Sequence, residues 1–112
     1  MKRYGEVIEL KSDKLEEYVR LHSAVWPKVL ERLHSSHIRN YSIYLKRFPD
    51  GKHYLFSYFE YLGKDFVGDM RAVAGDKITQ DWWELCKPCH APFPDRMEGE
   101  WWSAMNEVFH TD

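Results

Sequence analysis

The chain has 112 residues, of which 44% are hydrophobic, 30% charged and 16% aromatic, and its formal net charge is −2. This length predicts one domain over residues 1–112, and the balanced charge, without a basic stripe, argues against nucleic acid as a partner. No apolar run approaches the roughly 20 residues that cross a bilayer. The start of the chain, Met1–Glu6, lacks the apolar stretch of a secretory signal, so we expect no membrane partner and a cytoplasmic location.

The first predicted strand is Arg3 to Leu10, with Val7 on one face and Ile8 and Leu10 mostly on the other. A helix is expected to follow, capped by Ser12 or Asp13. The spacing Asp13-Lys14-Leu15-Glu16 fits a capping box, in which the cap side chain and the acidic residue satisfy free backbone N–H groups.

This helix is predicted to run to about Ser35 and has a strong amphipathic pattern at about 100° per residue. One stripe contains Leu15, Tyr18, Val19, His22, Trp26, Val29, Leu30 and Leu33. Pro27 interrupts the helix and predicts a kink, because proline removes one backbone hydrogen bond and clashes with the carbonyl of Ser23. The alternative is two abutting helices, with Pro27 in the first turn of the second.

The remaining elements alternate between strands and helices. We predict strands at Ile38–Arg47, His53–Leu62 and Met105–Phe109, and helices at Asp65–Ala74 and Lys77–Cys86. The resulting order β-α-β-β-α-β is typical of the ferredoxin-like split unit, an α+β fold with an antiparallel sheet and helices on one face.

Both faces of the predicted sheet carry large apolar side chains. In the third strand, Phe56 and Tyr58 lie on one face, and Leu55, Phe59 and Tyr61 lie on the other. Helices can cover only one of these faces, and an exposed apolar patch of that size usually marks an interface. We therefore expect a homodimer in which two sheets meet, a dimeric α/β barrel.

Tyr18 and His22 are the two polar, ionisable members of the helical stripe. At positions i and i+4 their side chains lie side by side. Histidine titrates near neutral pH, which suits a group that gives and takes protons. The alternative is a buried histidine tied to a backbone carbonyl.

Tyr41 and the pair Trp82-Trp83 are candidate ligand-binding residues, since flat indole faces stack on the apolar C–H faces of sugar rings. Adjacent helical residues point about 100° apart, so both tryptophans can reach one cavity only if it lies at the edge of the helix. The alternative for each of them is ordinary core packing.

The segment Cys86-Lys87-Pro88-Cys89-His90 matches the C-x-x-C-H haem-attachment pattern and offers three soft metal ligands. The absence of a secretory signal argues against haem, and the absence of a second Cys/His pair argues against zinc. We therefore expect no metal here and two free thiols in a proline-rich loop.

Four stretches in chain order resemble the L-rhamnose mutarotase family over nearly the whole chain. They are Glu17-Tyr18 … His22 … Trp26-Pro27, then Asn40–Leu45, then Trp82-Trp83, and finally Glu107–Phe109. The resemblance implies a dimeric ferredoxin-like isomerase that interconverts the anomers of a 6-deoxy sugar without a cofactor. It implies that His22 is the proton donor, and that Tyr18, Tyr41, Trp82 and Trp83 bind the sugar.

Two features depart from the bacterial pattern of that family: extra residues between the third strand and the tryptophans, and the Cys86–His90 loop. Since this loop is expected near the pocket, the substrate could be L-rhamnose, L-fucose or another aldose. Two other classes remain as alternatives: a cofactor-free dimeric-barrel oxygenase and a sugar-binding module without catalytic activity.

Overall fold

The computed structural model describes residues 1–112 and shows one antiparallel sheet with helices packed on one of its faces. The strands are β1 (Lys2–Leu10), β2 (Ile38–Arg47), β3 (His53–Tyr61), β4 (His90–Ala91) and β5 (Ser103–Met105). The helices are α1 (Leu15–His22), α2 (Pro27–Ser35), α3 (Phe66–Gly75) and α4 (Lys77–Cys86), with short 3₁₀ turns at Ser12–Lys14 and Lys87–Cys89. None of these helices has both the length and the apolar character required to span a membrane.

The sheet has the strand order β2-β3-β1-β4, and β5 also pairs with β1. This order, with one helical segment of the chain between β1 and β2 and another between β3 and β4, confirms the predicted ferredoxin-like α+β fold. On β1, Ile8 and Leu10 have no exposed surface, and they pack with Leu55 of β3 and with residues of α1, α2 and α4. The side chains of β1 with even numbers therefore face the helices.

The helical region after β1 consists of two helices, so the kinked single helix is wrong and the two-helix alternative is confirmed. Trp26 is extended, with φ −61° and ψ 131°, and Pro27 occupies the first turn of α2. A residue before proline disfavours the helical conformation, whereas proline in a first turn loses no hydrogen bond. Because α2 starts a new helical phase, the predicted stripe does not continue through it, and Leu30 is 52% exposed. Within α1, Val19 lies about 100° around the helix from the buried Tyr18 and is 50% exposed.

The predicted cap of the first helix is also wrong. Residues Ser12–Lys14 form a 3₁₀ turn, and the residue before α1, Lys14, makes no side-chain capping bond. The Ser12 hydroxyl instead lies 2.9 Å from Nδ1 of His53 at the start of β3. This contact with a distant strand takes the place of the predicted capping bond within the helix.

The last predicted strand, Met105–Phe109, is wrong in position. Two short strands share the outer edge of β1: β4 opposite Glu9 and Leu10, and β5 opposite Gly5 to Val7. Beyond Met105 the chain leaves the sheet, and Glu107 forms an ion pair of 2.9 Å with Arg3 rather than a backbone ladder. Val108 is consequently 94% exposed, since no surface of this chain covers it.

Candidate active site

Three of the residues singled out from the sequence form one aromatic stack between α1 and α4. The rings of Tyr18 and His22 are stacked with centroids 4.1 Å apart, and the indole of Trp82 meets His22 edge-on at 5.4 Å. Tyr18 and Trp82 are buried, while His22 is half-buried. The stack therefore holds a titratable ring at the boundary between core and solvent.

The orientation of the His22 ring is fixed by its own helix. Its Nδ1 lies 3.0 Å from the carbonyl oxygen of Tyr18, and this carbonyl can only accept, so Nδ1 donates. The predicted tether to a backbone carbonyl is thus present, but it leaves Nε2 free for a ligand. Burial lowers the pKa of His22, opposed by the bond to the Tyr18 carbonyl, so the ring is neutral at neutral pH.

Tyr41 reaches the same region from the sheet. The pairing of β2 with β3 shifts between Arg39 and Ser42, and Asn40 adopts a positive φ of 51°, as in a β-bulge. The Tyr41 ring contacts Phe59 on the helix-facing side, with centroids 5.5 Å apart. Tyr41 is 42% exposed because it lies on an edge strand, yet burial of its hydroxyl raises the pKa of Tyr41.

The hydroxyls of Tyr18 and Tyr41 belong to one electrostatic neighbourhood. Burial raises the pKa of Tyr18 most, and the proximity of Tyr41 and Cys86 raises it further. Both phenols therefore stay protonated over the physiological range. They can donate and accept hydrogen bonds, but they are not proton acceptors near neutral pH.

The helix-facing side of the sheet carries a polar floor formed by Glu6, Ser57 and Tyr41. Glu6 of β1 is paired with Ser57 of β3, and Tyr41 lies on β2. This floor separates two buried apolar clusters, one around Ile8, Leu55 and Trp82 and the other formed by Ile38, Phe59 and Tyr61. A polar strip between two apolar clusters, below a stack of aromatic rings, is a suitable surface for a small polar ligand with apolar faces.

Trp83 faces a different direction from Trp82. It lines a surface depression of about 850 Å³ together with Lys87, His90 and Trp101. The Lys87 ammonium group lies 5.2 Å from the Trp83 ring and 5.0 Å from the Trp101 ring, a cation–π arrangement. The depression meets the stack at His90, whose ring is 5.2 Å from that of Tyr18.

The cysteines of the Cys86–His90 segment are free, as predicted, and both are buried. Burial raises the pKa of the Cys86 thiol to about 12. No three His, Cys, Asp or Glu side chains of the structure come together in an arrangement that would hold a metal ion. Both thiols pack in the main apolar cluster, where they act as small hydrophobic side chains.

Sequence reasoning missed two polar residues of this region, Glu6 and His90. The alternation of β1 could have placed Glu6 on the face of Ile8 and Leu10, a signal that went unused. His90 was considered only as a metal ligand. Its Nδ1 accepts a hydrogen bond of 3.0 Å from Trp101, and its buried Nε2 has no partner within the protein.

Comparison with known proteins agrees with this architecture. The family model described as L-rhamnose mutarotase matches residues 3–111. L-rhamnose mutarotases of Oceanobacillus iheyensis and Lactiplantibacillus plantarum are 31% and 29% identical over 112 residues, covering each chain completely. The crystal structure of an L-rhamnose mutarotase from Formosa agariphila is similar with a TM-score of 0.75 at 20% identity, covering both chains completely.

The burial of His90 predicts a loss of stability in acid. Burial lowers its pKa from 6.5 to about 4, so the unfolded state binds the proton more tightly. Above about pH 6.5, His90 is neutral in both states and the free energy of unfolding is unaffected by its titration. As the pH falls to about 4, protonation of the unfolded state lowers the free energy of unfolding by roughly 3 kcal/mol. Urea unfolding at several pH values should show a shallower acid slope for His90→Gln than for the wild type. His34→Gln, at an exposed histidine of α2, is the control and should keep the wild-type slope; equal slopes for all three proteins would contradict this account.

Proposed function

The chain belongs to the L-rhamnose mutarotase family, and we propose that it interconverts the α and β anomers of L-rhamnose, a 6-deoxy aldose. The family match makes it an isomerase of the racemase and epimerase class. The observation that carries the proposal is the stacked His22, whose Nδ1 is tethered while its Nε2 is free at the edge of the core. This is the arrangement that repeated proton transfer requires.

Mutarotation opens the pyranose ring and closes it on the other face of C1. Opening needs a proton at the ring oxygen and the removal of one from the anomeric hydroxyl. We assign the first transfer to His22 as proton donor, in its imidazolium form. The lowered pKa of His22 makes this imidazolium a stronger acid, and the neutral ring is ready to take the proton back on closure.

The aromatic side chains are assigned to substrate binding. The hydroxyls of Tyr18 and Tyr41 are the proposed partners of the sugar hydroxyls, since both stay protonated and neither is engaged in a hydrogen bond that shifts its pKa. Trp82 is the proposed apolar wall for the C–H face and methyl group of the sugar. Trp83 is proposed to contact the sugar at the entrance of the site, where the surface depression meets the aromatic stack.

We further propose that the enzyme is a cytoplasmic homodimer formed through the uncovered face of the sheet. Val7, Phe56 and Tyr44 lie next to one another across β1, β3 and β2 on this face, and Tyr44 is 65% exposed. Such a row of apolar side chains resembles one half of an interface. Two free buried cysteines are compatible with a reducing compartment.

The first test removes the proposed donor. His22→Ala should fold and assemble like the wild type, yet slow anomer exchange of L-rhamnose roughly 100-fold or more, because no positioned acid remains. Saturation-transfer NMR measures the exchange directly. His34→Ala, at an exposed position of α2, should exchange at the wild-type rate. Exchange at the wild-type rate in His22→Ala would remove His22 from the mechanism.

Running the same NMR assay with L-rhamnose, L-fucose and D-glucose identifies the substrate. We expect acceleration to be greatest for L-rhamnose. A protein whose melting temperature rises with the sugar while exchange stays at the buffer rate would instead be a binding module.

The second test concerns the apolar wall. Trp82 is only 5% exposed and packs on Trp26, so Trp82→Ala would damage the core, whereas Trp82→Phe keeps an aromatic ring. We expect Trp82→Phe to raise KM about 5-fold with little change in kcat, because stacking contributes equally to the ground and transition states. A loss confined to kcat would contradict the assigned role.

The third test concerns assembly. Phe56→Asp places a charge in the middle of the uncovered sheet face and should convert the dimer to a monomer, seen by light scattering coupled to size exclusion. Val19→Asp, on the exposed side of α1, is the matched control and should remain dimeric. A wild-type protein with the mass of a single chain would refute the proposed dimer.

A further inference from the structure

We propose that Glu6 is the second proton-transfer group of this site, the carboxyl that takes and returns the proton of the anomeric hydroxyl while His22 serves the ring oxygen. The inference rests on the proposed mutarotase function and supplies the base that this function requires.

The position of Glu6 follows from strand alternation. Ile8 and Leu10, two and four residues further along β1, are completely buried against the helices, and Glu6 shares their face. Its partner across the ladder is Ser57, so their Cβ atoms are about 5 Å apart. Glu6 thus projects toward the helices, close enough to Tyr41 to raise its pKa, and not toward the uncovered face of the sheet.

The polar floor around Glu6 has unused hydrogen-bonding capacity. Ser57 is 3% exposed, and its hydroxyl has no hydrogen-bond partner within the protein. A buried hydroxyl without a partner is destabilising, and it is rarely tolerated unless a ligand or water satisfies the group. Beside a carboxyl on the same face, this hydroxyl points to a polar ligand with several hydroxyl groups.

Glu6 also lacks a structural reason for its burial. It takes part in no ion pair or hydrogen bond, unlike Glu60 and Glu107, which are held by neighbouring donors. The charged group that acts on Glu6 is Glu100, of the same sign, and Glu6 in turn acts on the titratable side chain of Tyr41. Burial, and then Glu100, raise the pKa of Glu6 to about 6. An unpaired, half-buried carboxyl destabilises the fold, and such groups are concentrated at functional sites.

The reaction requires that His22 and Glu6 together carry one proton, which starts on His22. On opening, the imidazolium of His22 gives its Nε2 proton to the ring oxygen as the C1–O bond breaks and that oxygen keeps the electron pair. At the same time, the Glu6 carboxylate takes the proton of the anomeric hydroxyl as its O–H electrons form the C1 carbonyl. After rotation about C1–C2, closure reverses both transfers, so neither group is changed.

The groups that face this pair do not compete for its proton. Tyr18 and Tyr41 remain neutral phenols, and Cys86 remains a thiol. Burial, and then the neighbouring His22 and Lys87, lower the pKa of His90 to about 4. The two titrations that remain are those of Glu6 and His22. A pair that must carry one proton gives a rate that falls on both sides of an optimum.

Glu6→Gln tests the assignment, because it keeps size and polarity but cannot take a proton. We expect L-rhamnose exchange to fall about 100-fold with little change in KM, and the pH profile to lose the limb that belongs to the carboxyl. At about pH 8 the melting temperature of Glu6→Gln should exceed that of the wild type, because an unpaired buried charge is gone. Glu16→Gln, at an exposed position of α1, should match the wild type in all three measurements.

The outcomes separate this inference from the proposed function. If the wild type exchanges none of the sugars, the mutarotase proposal fails regardless of Glu6. If the wild type is active and Glu6→Gln stays within about twofold of it, Glu6 is not the base. If activity is lost together with a lowered melting temperature, Glu6 is structural, and the inference is overturned. Glu6→Asp, with a shortened carboxyl, should restore part of the rate and the missing limb of the pH profile.

Discussion

The hydrogen bond from His22 Nδ1 to the carbonyl oxygen of Tyr18 is the constraint on which the site depends. It fixes the tautomer, so that Nε2 is the nitrogen presented to a ligand. It also stacks the imidazole on the phenol of Tyr18, one helical turn away. The bond lies in the last turn of α1, and that helix ends because Trp26 must be extended before Pro27. A proline five residues further along thus leaves His22, the proposed proton donor, in the last turn of a helix.

The sheet contributes a complementary constraint. Two apolar clusters hold the helices on the sheet, and the polar floor of Glu6, Ser57 and Tyr41 lies between them. Replacing this floor with apolar residues would join the clusters and bury more surface, which would stabilise the fold. The molecule instead carries a half-buried carboxyl and an unpaired hydroxyl. This departure from the most stable arrangement is expected where a fold holds reactive groups.

The sequence predicted those parts of the fold that depend on local patterns. Strand β2 and helix α4 begin and end at the predicted residues, because alternation, the Pro-Asp-Gly turn and the flanking breakers are local signals. The position of the final strand could not be predicted, since β4 and β5 have two and three residues and exist only through pairing with β1. Tyr18 and His22 lie side by side as their helical spacing predicted, whereas the family resemblance, and not spacing, grouped Trp82 with them. The orientation of Trp83 and the tautomer of His90 depend on Lys87 and Trp101, contacts that no periodicity encodes.

One physical cause, partial burial, accounts for the pairing of the two proposed proton carriers. Removing water disfavours the charged form of any group, so it lowers the pKa of an imidazole and raises that of a carboxyl. In water the pKa values of histidine and glutamate differ by about 2 units, and the carboxyl is the stronger acid. In this structure the pKa of His22 is lowered from 6.5, and the pKa of Glu6 is raised to about 6. The same environment therefore brings the two groups toward equal affinity for a proton, without a dedicated charge partner for either. Opposite shifts of this kind favour proton transfer to and from the sugar in both directions, which a reversible isomerisation requires.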